Sequence, residues 1–161
     1  MITTKNLCKS FDENTHVLKG ISETINKGEK VVVIGPSGSG KSTLLNILGC
    51  LDTPTTGEYL LDGISVRTMS KSQRAVLRNR KIGFVFQNYN LLPKTTAIEN
   101  VELPLMYNSS VSASERRSRA IEALKAVSLG DRLEHKSNQM SGGQMQRVAI
   151  ARALANDPAV I

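Results

Sequence analysis

Eight consecutive residues have the types and spacing of a phosphate-binding loop. The run matches the pattern G-x-x-x-x-G-K-[ST] at every fixed position, and it reads Gly35, Pro36, Ser37, Gly38, Ser39, Gly40, Lys41 and Ser42. Glycines let the backbone curl so that successive N–H groups converge on phosphate oxygens, while Lys41 supplies a full positive charge. The Ser42 hydroxyl is a suitable ligand for Mg²⁺, and Thr43 can donate a hydrogen bond to a phosphate oxygen. The pattern predicts a site for a nucleoside triphosphate with Mg²⁺.

The elements on either side of this loop fit the same interpretation. Val31–Ile34 is apolar without alternation, as in a strand that is buried on both faces of a parallel sheet. Lys41 opens a predicted helix with an apolar face, and the start of a helix attracts anions. The alternative, a glycine-rich turn followed by a chance Lys-Ser pair, leaves the strand and the helix unexplained.

A second glycine pair stands at the start of another predicted helix. Ser141, Gly142, Gly143 and Gln144 precede a stretch whose apolar residues recur at helical spacing. Free N–H groups and a serine hydroxyl at a helix start form an anion site. The alternative is an ordinary capped helix with no ligand.

The remaining pattern predicts strands at Val17–Ile25, Tyr59–Leu61 and Lys81–Phe86, the last ending at Gln87. Ser70 is a candidate N-cap for a helix through Leu77. After Gln87 we expect loop, a short helix over Ala97–Val101, and a helix capped by Ser112 or Ser114. A further strand begins at Ala159.

The two motifs together resemble the ATP-binding cassette (ABC) family, the motor domains of ABC transporters, and the resemblance covers nearly the whole chain. Met140 stands where the family usually has Leu, which keeps an apolar residue of similar size. Gln87 looks like the family's Q-loop glutamine, which contacts Mg²⁺ and the attacking water; the alternative is an exposed polar residue. Phe11 falls where the family stacks an aromatic ring on adenine; the alternative is a core side chain.

This resemblance implies an α/β P-loop NTPase fold. We expect a mostly parallel core sheet, an N-terminal antiparallel β subdomain and a helical insertion, within one partial nucleotide-binding domain over residues 1–161. Residues 1–87 and 155–161 would form the nucleotide-binding core and β subdomain, and residues 88–154 the helical subdomain. In the family two cassettes form a homodimer or heterodimer that sandwiches ATP, so Ser141, Gly142, Gly143 and Gln144 would contact nucleotide held by the partner.

A finer resemblance concerns the stretches Leu77–Pro93 and Glu99–Leu105. They look like the branch with lipoprotein-release, macrolide-export and antimicrobial-peptide-export cassettes. The expected partner is a separate membrane permease, which docks near the Q-loop and the helical subdomain. The alternative is a cassette of a soluble DNA-repair or translation machine; a small-molecule P-loop kinase has no use for the second motif.

Composition agrees with a globular domain that binds phosphate. The formal net charge is +7 with a pI near 9.7, but the basic residues are scattered, which does not favour nucleic acid as a partner. Cys8 and Cys50 form neither a disulfide framework nor a metal cluster. No apolar run approaches the about 18 residues that span a bilayer. We expect a cytoplasmic protein, peripheral on the inner face of the membrane through its permease.

The family's chain continues past a position like Ile161, so we expect the C-terminal part to be missing. The resemblance places the metal-binding Asp and the Glu that activates water there, together with a switch His. His16 and His135 come too early for that role and are expected at the surface. Phosphoryl transfer needs positioning, metal and a base. The 161 residues are therefore expected to bind ATP and hydrolyse it poorly.

Overall fold

The computed structural model describes all residues, Met1–Ile161, as four β-strands and five α-helices with one short 3₁₀ turn. The elements are β1 Ile2–Ser10, β2 His16–Ile25, α1 Lys41–Leu48, β3 Thr56–Leu61, β4 Ile64–Ser65, α2 Lys71–Lys81, α3 Ala97–Met106, α4 Ala113–Ala126 and α5 Gly142–Leu154. The chain divides into two compact units, Met1–Val76 and Leu77–Ile161, and each is described by itself. No helix is long and apolar enough to cross a membrane.

The first unit contains one antiparallel sheet with the strand order β2-β1-β3-β4. Its presence confirms the predicted N-terminal β subdomain. The inner strand β1 was not predicted from the sequence. Ile2 and Thr4 alternate inward, but Asn6 has a φ of 47° and the register shifts between Thr4 and Leu7, so the period-2 pattern restarts at Leu7.

The core of the first unit joins the sheet to α1. Tyr59 on β3 is fully buried, and its hydroxyl donates to the carbonyl of Leu48 at the end of α1, 2.6 Å away. Burial raises the pKa of the Tyr59 hydroxyl well above its ordinary value. β3 lies close to β1 because Gly57 has no side chain: a Cβ there would stand 2.2 Å from the Asn6 carbonyl oxygen. The Tyr59 bond therefore fastens the end of α1 to the sheet.

The strand predicted at Val31–Ile34 is not formed in this structure. These residues pair with no strand, and the side chains of Val32 and Ile34 are 80% and 86% exposed. A parallel strand is stabilised by neighbours on its edges and by cover on both faces, and the described chain supplies neither here. The prediction of a buried strand at Val31–Ile34 was therefore wrong.

The strand predicted at Lys81–Phe86 is also not formed. Lys81 instead ends α2, and Ile82 makes a single parallel bridge with Val160. The strand predicted to begin at Ala159 is represented only by this bridge of Val160 with Ile82. One bridge is all the parallel pairing that Met1–Ile161 contains.

The core of the second unit is made by α3, α4 and α5. Fully buried aliphatic side chains fill the space between these helices: Ala97, Ile98, Val101, Leu105, Ala120, Leu124, Val148 and Ala151. The predicted caps are confirmed at Ser70, whose hydroxyl accepts from the Gln73 N–H, and at Ser112. α3 is longer than predicted and includes Pro104, whose carbonyl accepts bonds from the side-chain amides of Asn79 and Asn156.

Candidate functional site

The loop Gly35–Ser42 is closed by contacts among its own residues. The Lys41 ammonium donates to the carbonyl oxygens of Gly35, at 2.8 Å, and Pro36, at 2.6 Å. The Ser39 N–H donates to the same Pro36 oxygen at 3.3 Å. These bonds hold the Lys41 ammonium group against the loop, so the side chain does not extend into solvent. A positive charge thus stands beside the curled backbone, as the sequence predicts for a phosphate site.

The N-terminus of α1 has no cap from the protein. Its N-cap residue is Gly40, which has no side chain that could accept a hydrogen bond, and the first turn contains no acidic residue. The N–H groups of Lys41, Ser42 and Thr43 are the orphan donors of a helix start, where the helix dipole also favours an anion. The Ser42 side chain is exposed in this turn, so its hydroxyl is accessible to a hard cation such as Mg²⁺.

Strand β2 supports the loop at Gly40. This residue has a φ of 90°, and a Cβ there would lie 3.0 Å from side-chain carbons of both Val17 and Leu18. A larger residue would be strained in this conformation and crowded against β2. The glycine that the motif requires is therefore also the one that lets the loop rest on the sheet.

Phe11 lies in the turn between β1 and β2, in the same unit as the loop. Its side chain is 62% exposed, so the alternative that it fills the core is wrong. The Asp12 carboxylate accepts bonds from the Thr15 hydroxyl and from the N–H groups of Asn14 and Thr15, which hold the pKa of Asp12 below its ordinary value. The turn thus presents an aromatic ring at the surface on an ordered scaffold.

The second motif begins α5 as a capping box. The Ser141 hydroxyl accepts from the Gln144 N–H at 3.3 Å, and the Gln144 amide oxygen accepts from the Ser141 N–H at 2.8 Å. The local structure is therefore an ordinary capped helix, with the side-chain oxygen of Gln144 already engaged. Gly142 and Gly143 are both exposed, and a Cβ at Gly143 would meet nothing within 4 Å. Their backbone stays open to a ligand.

Gln87 is exposed and lies in the second unit, just before a tight turn at Tyr89 and Asn90. Arg152 near the end of α5 donates to the carbonyls of both turn residues, at 2.7 and 2.6 Å. Burial lowers the pKa of the Arg152 guanidinium. The role of Arg152 was not predicted from the sequence; the available signal was an arginine among the apolar residues Val148–Leu154 of α5.

The predicted site residues are divided between the two units. Phe11 and the loop Gly35–Ser42 with Thr43 belong to the first, and Gln87 and Ser141–Gln144 belong to the second. A family profile described as ABC transporter matches residues 18–161, which includes both groups. The chain belongs to the ABC transporter family.

Curated ABC relatives resemble the chain over most of its length. An uncharacterised ABC transporter ATP-binding protein of Thermotoga maritima is 63% identical over 144 residues, which are 89% of this chain and 61% of that protein. The macrolide export ATP-binding/permease protein MacB of Brucella melitensis is 55% identical over 164 residues, covering 100% of this chain and 25% of its own length. The chain thus spans less than two thirds of these relatives. The predicted likeness to macrolide-export cassettes is confirmed.

A solved ABC structure shares the fold. The cassette MJ0796 of Methanocaldococcus jannaschii, described as a dimer in a post-hydrolysis state bound to ADP and Pi, has a TM-score of 0.86 and 50% identity. The match covers 98% of this chain and 71% of that chain. The predicted fold class, that of the P-loop ABC ATPases, is confirmed at this level, although the parallel pairing within Met1–Ile161 is limited to one bridge.

Proposed function

We propose that this chain is the ATP-binding part of an ABC transporter that couples ATP binding and hydrolysis to transport through a membrane permease. The observation that carries the proposal is the uncapped start of α1 with Lys41 held beside it, because this arrangement leaves N–H donors and a cation for a triphosphate. The membership in the family and the likeness to cassettes that are named as ATP-binding proteins support it.

Each part of the loop has a role in this proposal. The backbone N–H groups of Gly35–Ser42 and Thr43 bind phosphate oxygens, and Lys41 exchanges its two carbonyl partners for the β- and γ-phosphates. Phe11 stacks on adenine with its exposed ring. Ser42 and Gln87 are both exposed, and each would offer a side-chain oxygen to Mg²⁺, which would supply neutralising charge at the phosphates. Lys41 and Gln87 are the catalytic residues that the chain contributes.

A second cassette completes the site in this proposal. Ser141, Gly142, Gly143 and Gln144 contact ATP that is bound by the partner, in a homodimer or heterodimer. The exposure of both glycines supports this role, and the related cassette MJ0796 is described as dimeric. In this chain the side-chain oxygen and the backbone N–H of Gln144 both bond to Ser141, so Gln144 contributes by fixing Ser141 and by offering its side-chain NH₂ group.

The partner in the membrane is a permease that docks near the Q-loop and the helical subdomain, on the cytoplasmic face. The relative MacB is named as one protein with an ATP-binding part and a permease, and its name favours export over the alternative of a DNA-repair or translation machine. Substrate choice belongs to the permease. We expect the 161 residues to bind ATP and to turn it over negligibly by themselves, because none of the proposed site residues is a carboxylate that could act as a general base.

Calorimetry with ATP and Mg²⁺ tests the proposal. Lys41→Ala removes a charge-assisted hydrogen bond to phosphate, and we expect the Kd to rise by about 10- to 100-fold, which corresponds to about 1.5–3 kcal/mol. Lys27→Ala removes an exposed cation from a turn of the same unit and serves as the control. Circular dichroism checks that both variants fold. Equal ATP affinity in the parent chain and in folded Lys41→Ala would refute the phosphate site.

A further inference from the structure

The ring of Phe11 has a cation beneath one face. The Lys9 ammonium lies 5.3 Å from the centroid of the ring, within the range of a cation–π contact. The same nitrogen is 2.7 Å from an oxygen of the Asp52 carboxylate and donates to the Thr53 carbonyl oxygen at 2.9 Å. The Lys9 side chain is only 12% exposed. The ammonium is therefore held in place by residues that follow α1.

We propose that Lys9 is a positioning residue for nucleotide binding: its ammonium, fixed by Asp52 and Thr53, orients the Phe11 ring so that the opposite face stacks on the base. This inference rests on the proposed function. Phe11 is 62% exposed and has no aromatic neighbour, so the cation is the specific contact available to set the ring plane.

The physical benefit is twofold. A cation on one face attracts the negative face of the ring quadrupole and limits rotation of the side chain, so less conformational entropy is lost when a base stacks. Partial burial strengthens this attraction because less water screens it. The ion pair with Asp52 prevents the ammonium from turning toward solvent.

A purely structural role for Lys9 makes a different prediction. Lys9 joins β1 to the segment after α1, so its loss could weaken the unit without any effect specific to the base. Lys5 on the same strand provides the comparison: it pairs with Glu58 at 3.3 Å and is 64% exposed. Lys5→Met and Lys9→Met remove the same charge, but only the latter removes a cation from the ring.

The experiment measures binding of two probes by calorimetry, ATP with Mg²⁺ and inorganic tripolyphosphate, which has no base. We expect Lys9→Met to raise the Kd for ATP by about two- to five-fold and to leave that for tripolyphosphate unchanged. Lys9→Arg keeps a cation that stacks on a ring and pairs with a carboxylate, so it should restore affinity for ATP to within about twofold. In a Phe11→Ala background, Lys9→Met should have no further effect.

Several outcomes would overturn the inference. If Lys9→Met loses as much affinity for tripolyphosphate as for ATP, or loses no more affinity for ATP than Lys5→Met does, then Lys9 contributes only its positive charge and does not position the ring. A persisting effect in the Phe11→Ala background would lead to the same conclusion. If Phe11→Ala binds ATP normally, the adenine platform of the proposed function fails as well, while the Lys41 result still tests the phosphate site. If Lys9→Met does not fold, the double variant Lys9→Met with Asp52→Asn takes its place in the experiment, because it leaves no unpaired carboxylate at position 52.

Discussion

Lys41 shows how one side chain both organises the loop and prepares it for an anion. Its ammonium bonds to two carbonyls of the loop that it is expected to leave when phosphate arrives. Carbonyl oxygens compete weakly with a charged phosphate for an ammonium group, because hydrogen bonds between two charged partners are stronger. At the residue scale, three side chains can be tested individually: Lys41, Ser141 and Tyr59.

Ser141→Arg should spare ATP binding to the single chain and abolish ATP-driven dimerisation. The bulky cation would occupy the space over the exposed glycines Gly142 and Gly143, where the partner's nucleotide is proposed to lie. Sedimentation velocity with and without ATP measures the effect. Ser112→Arg is the matched control, since Ser112 caps α4 through a bond of 3.3 Å like that of Ser141. Dimerisation that survives Ser141→Arg would contradict the sandwich.

Tyr59→Phe should lower the free energy of unfolding by about 1–3 kcal/mol, because the Leu48 carbonyl loses its partner. Urea unfolding measures this value, with the 75% exposed Tyr107 changed to Phe as a control.

The raised pKa of Tyr59 also makes the free energy of unfolding depend on pH. The Tyr59 hydroxyl ionises near pH 10 in the unfolded chain but stays neutral when folded. Its contribution to the free energy of unfolding is therefore fully present below about pH 10 and is lost as the pH rises above that value. In Tyr59→Phe the free energy of unfolding should decrease less steeply above about pH 10 than in the parent chain.

At the scale of elements, α5 links the two functional segments of the second unit. Ser141 caps its N-terminus, and Arg152 in its last turn holds the turn after Gln87. Tyr89 and Asn90 in this turn both have positive φ, which non-glycine residues adopt at a cost. The Tyr89 hydroxyl also lies 3.4 Å from where a Cβ of Gly142 would stand. The turn is therefore fastened to the helix that begins with the second motif.

Arg152→Met should release this turn. Two carbonyls lose their donors, and the strained residues can relax, so hydrogen exchange at the amides of Tyr89 and Asn90 should accelerate. Arg147→Met removes an exposed arginine from the same helix and should leave exchange unchanged. Hydrogen-exchange mass spectrometry over residues 86–92 reports both. Unaltered exchange in Arg152→Met would show that other contacts hold the turn.

At the scale of the whole molecule, apolar side chains remain uncovered in both units. Val31, Val32 and Ile34 are 55%, 80% and 86% exposed in the first, and Ile161 is 71% exposed in the second. Such residues are typical of surfaces that associate. Their exposure is the direct consequence of strands that lack partners.

The chain should therefore self-associate as its concentration rises, and Val32→Ser with Ile34→Ser should reduce this. Sedimentation velocity over a concentration series measures association, and binding of an apolar dye reports the exposed surface. Val76→Ser, at a 52% exposed position in α2, is the control for loss of one apolar side chain. A monomeric parent chain at all concentrations would contradict this expectation.

The sequence by itself determined the features whose chemistry is local. The loop Gly35–Ser42 and the caps at Ser70, Ser112 and Ser141 depend on residues within a few positions of one another, so their patterns are legible without the fold. The helices of the second unit followed from apolar spacing for the same reason, although α3 continues beyond its predicted end at Val101 to Met106.

Only the tertiary structure decided the features that need distant partners. β1 is central because β2 and β3 pair with it, and its bulge at Asn6 hid this from the pattern. The apolar run Val31–Ile34 predicts a strand but stays unpaired here, since strand formation depends on neighbours that no local run contains. Lys9 under Phe11 and Arg152 on the Gln87 turn likewise join side chains to groups that only the folded chain brings within reach.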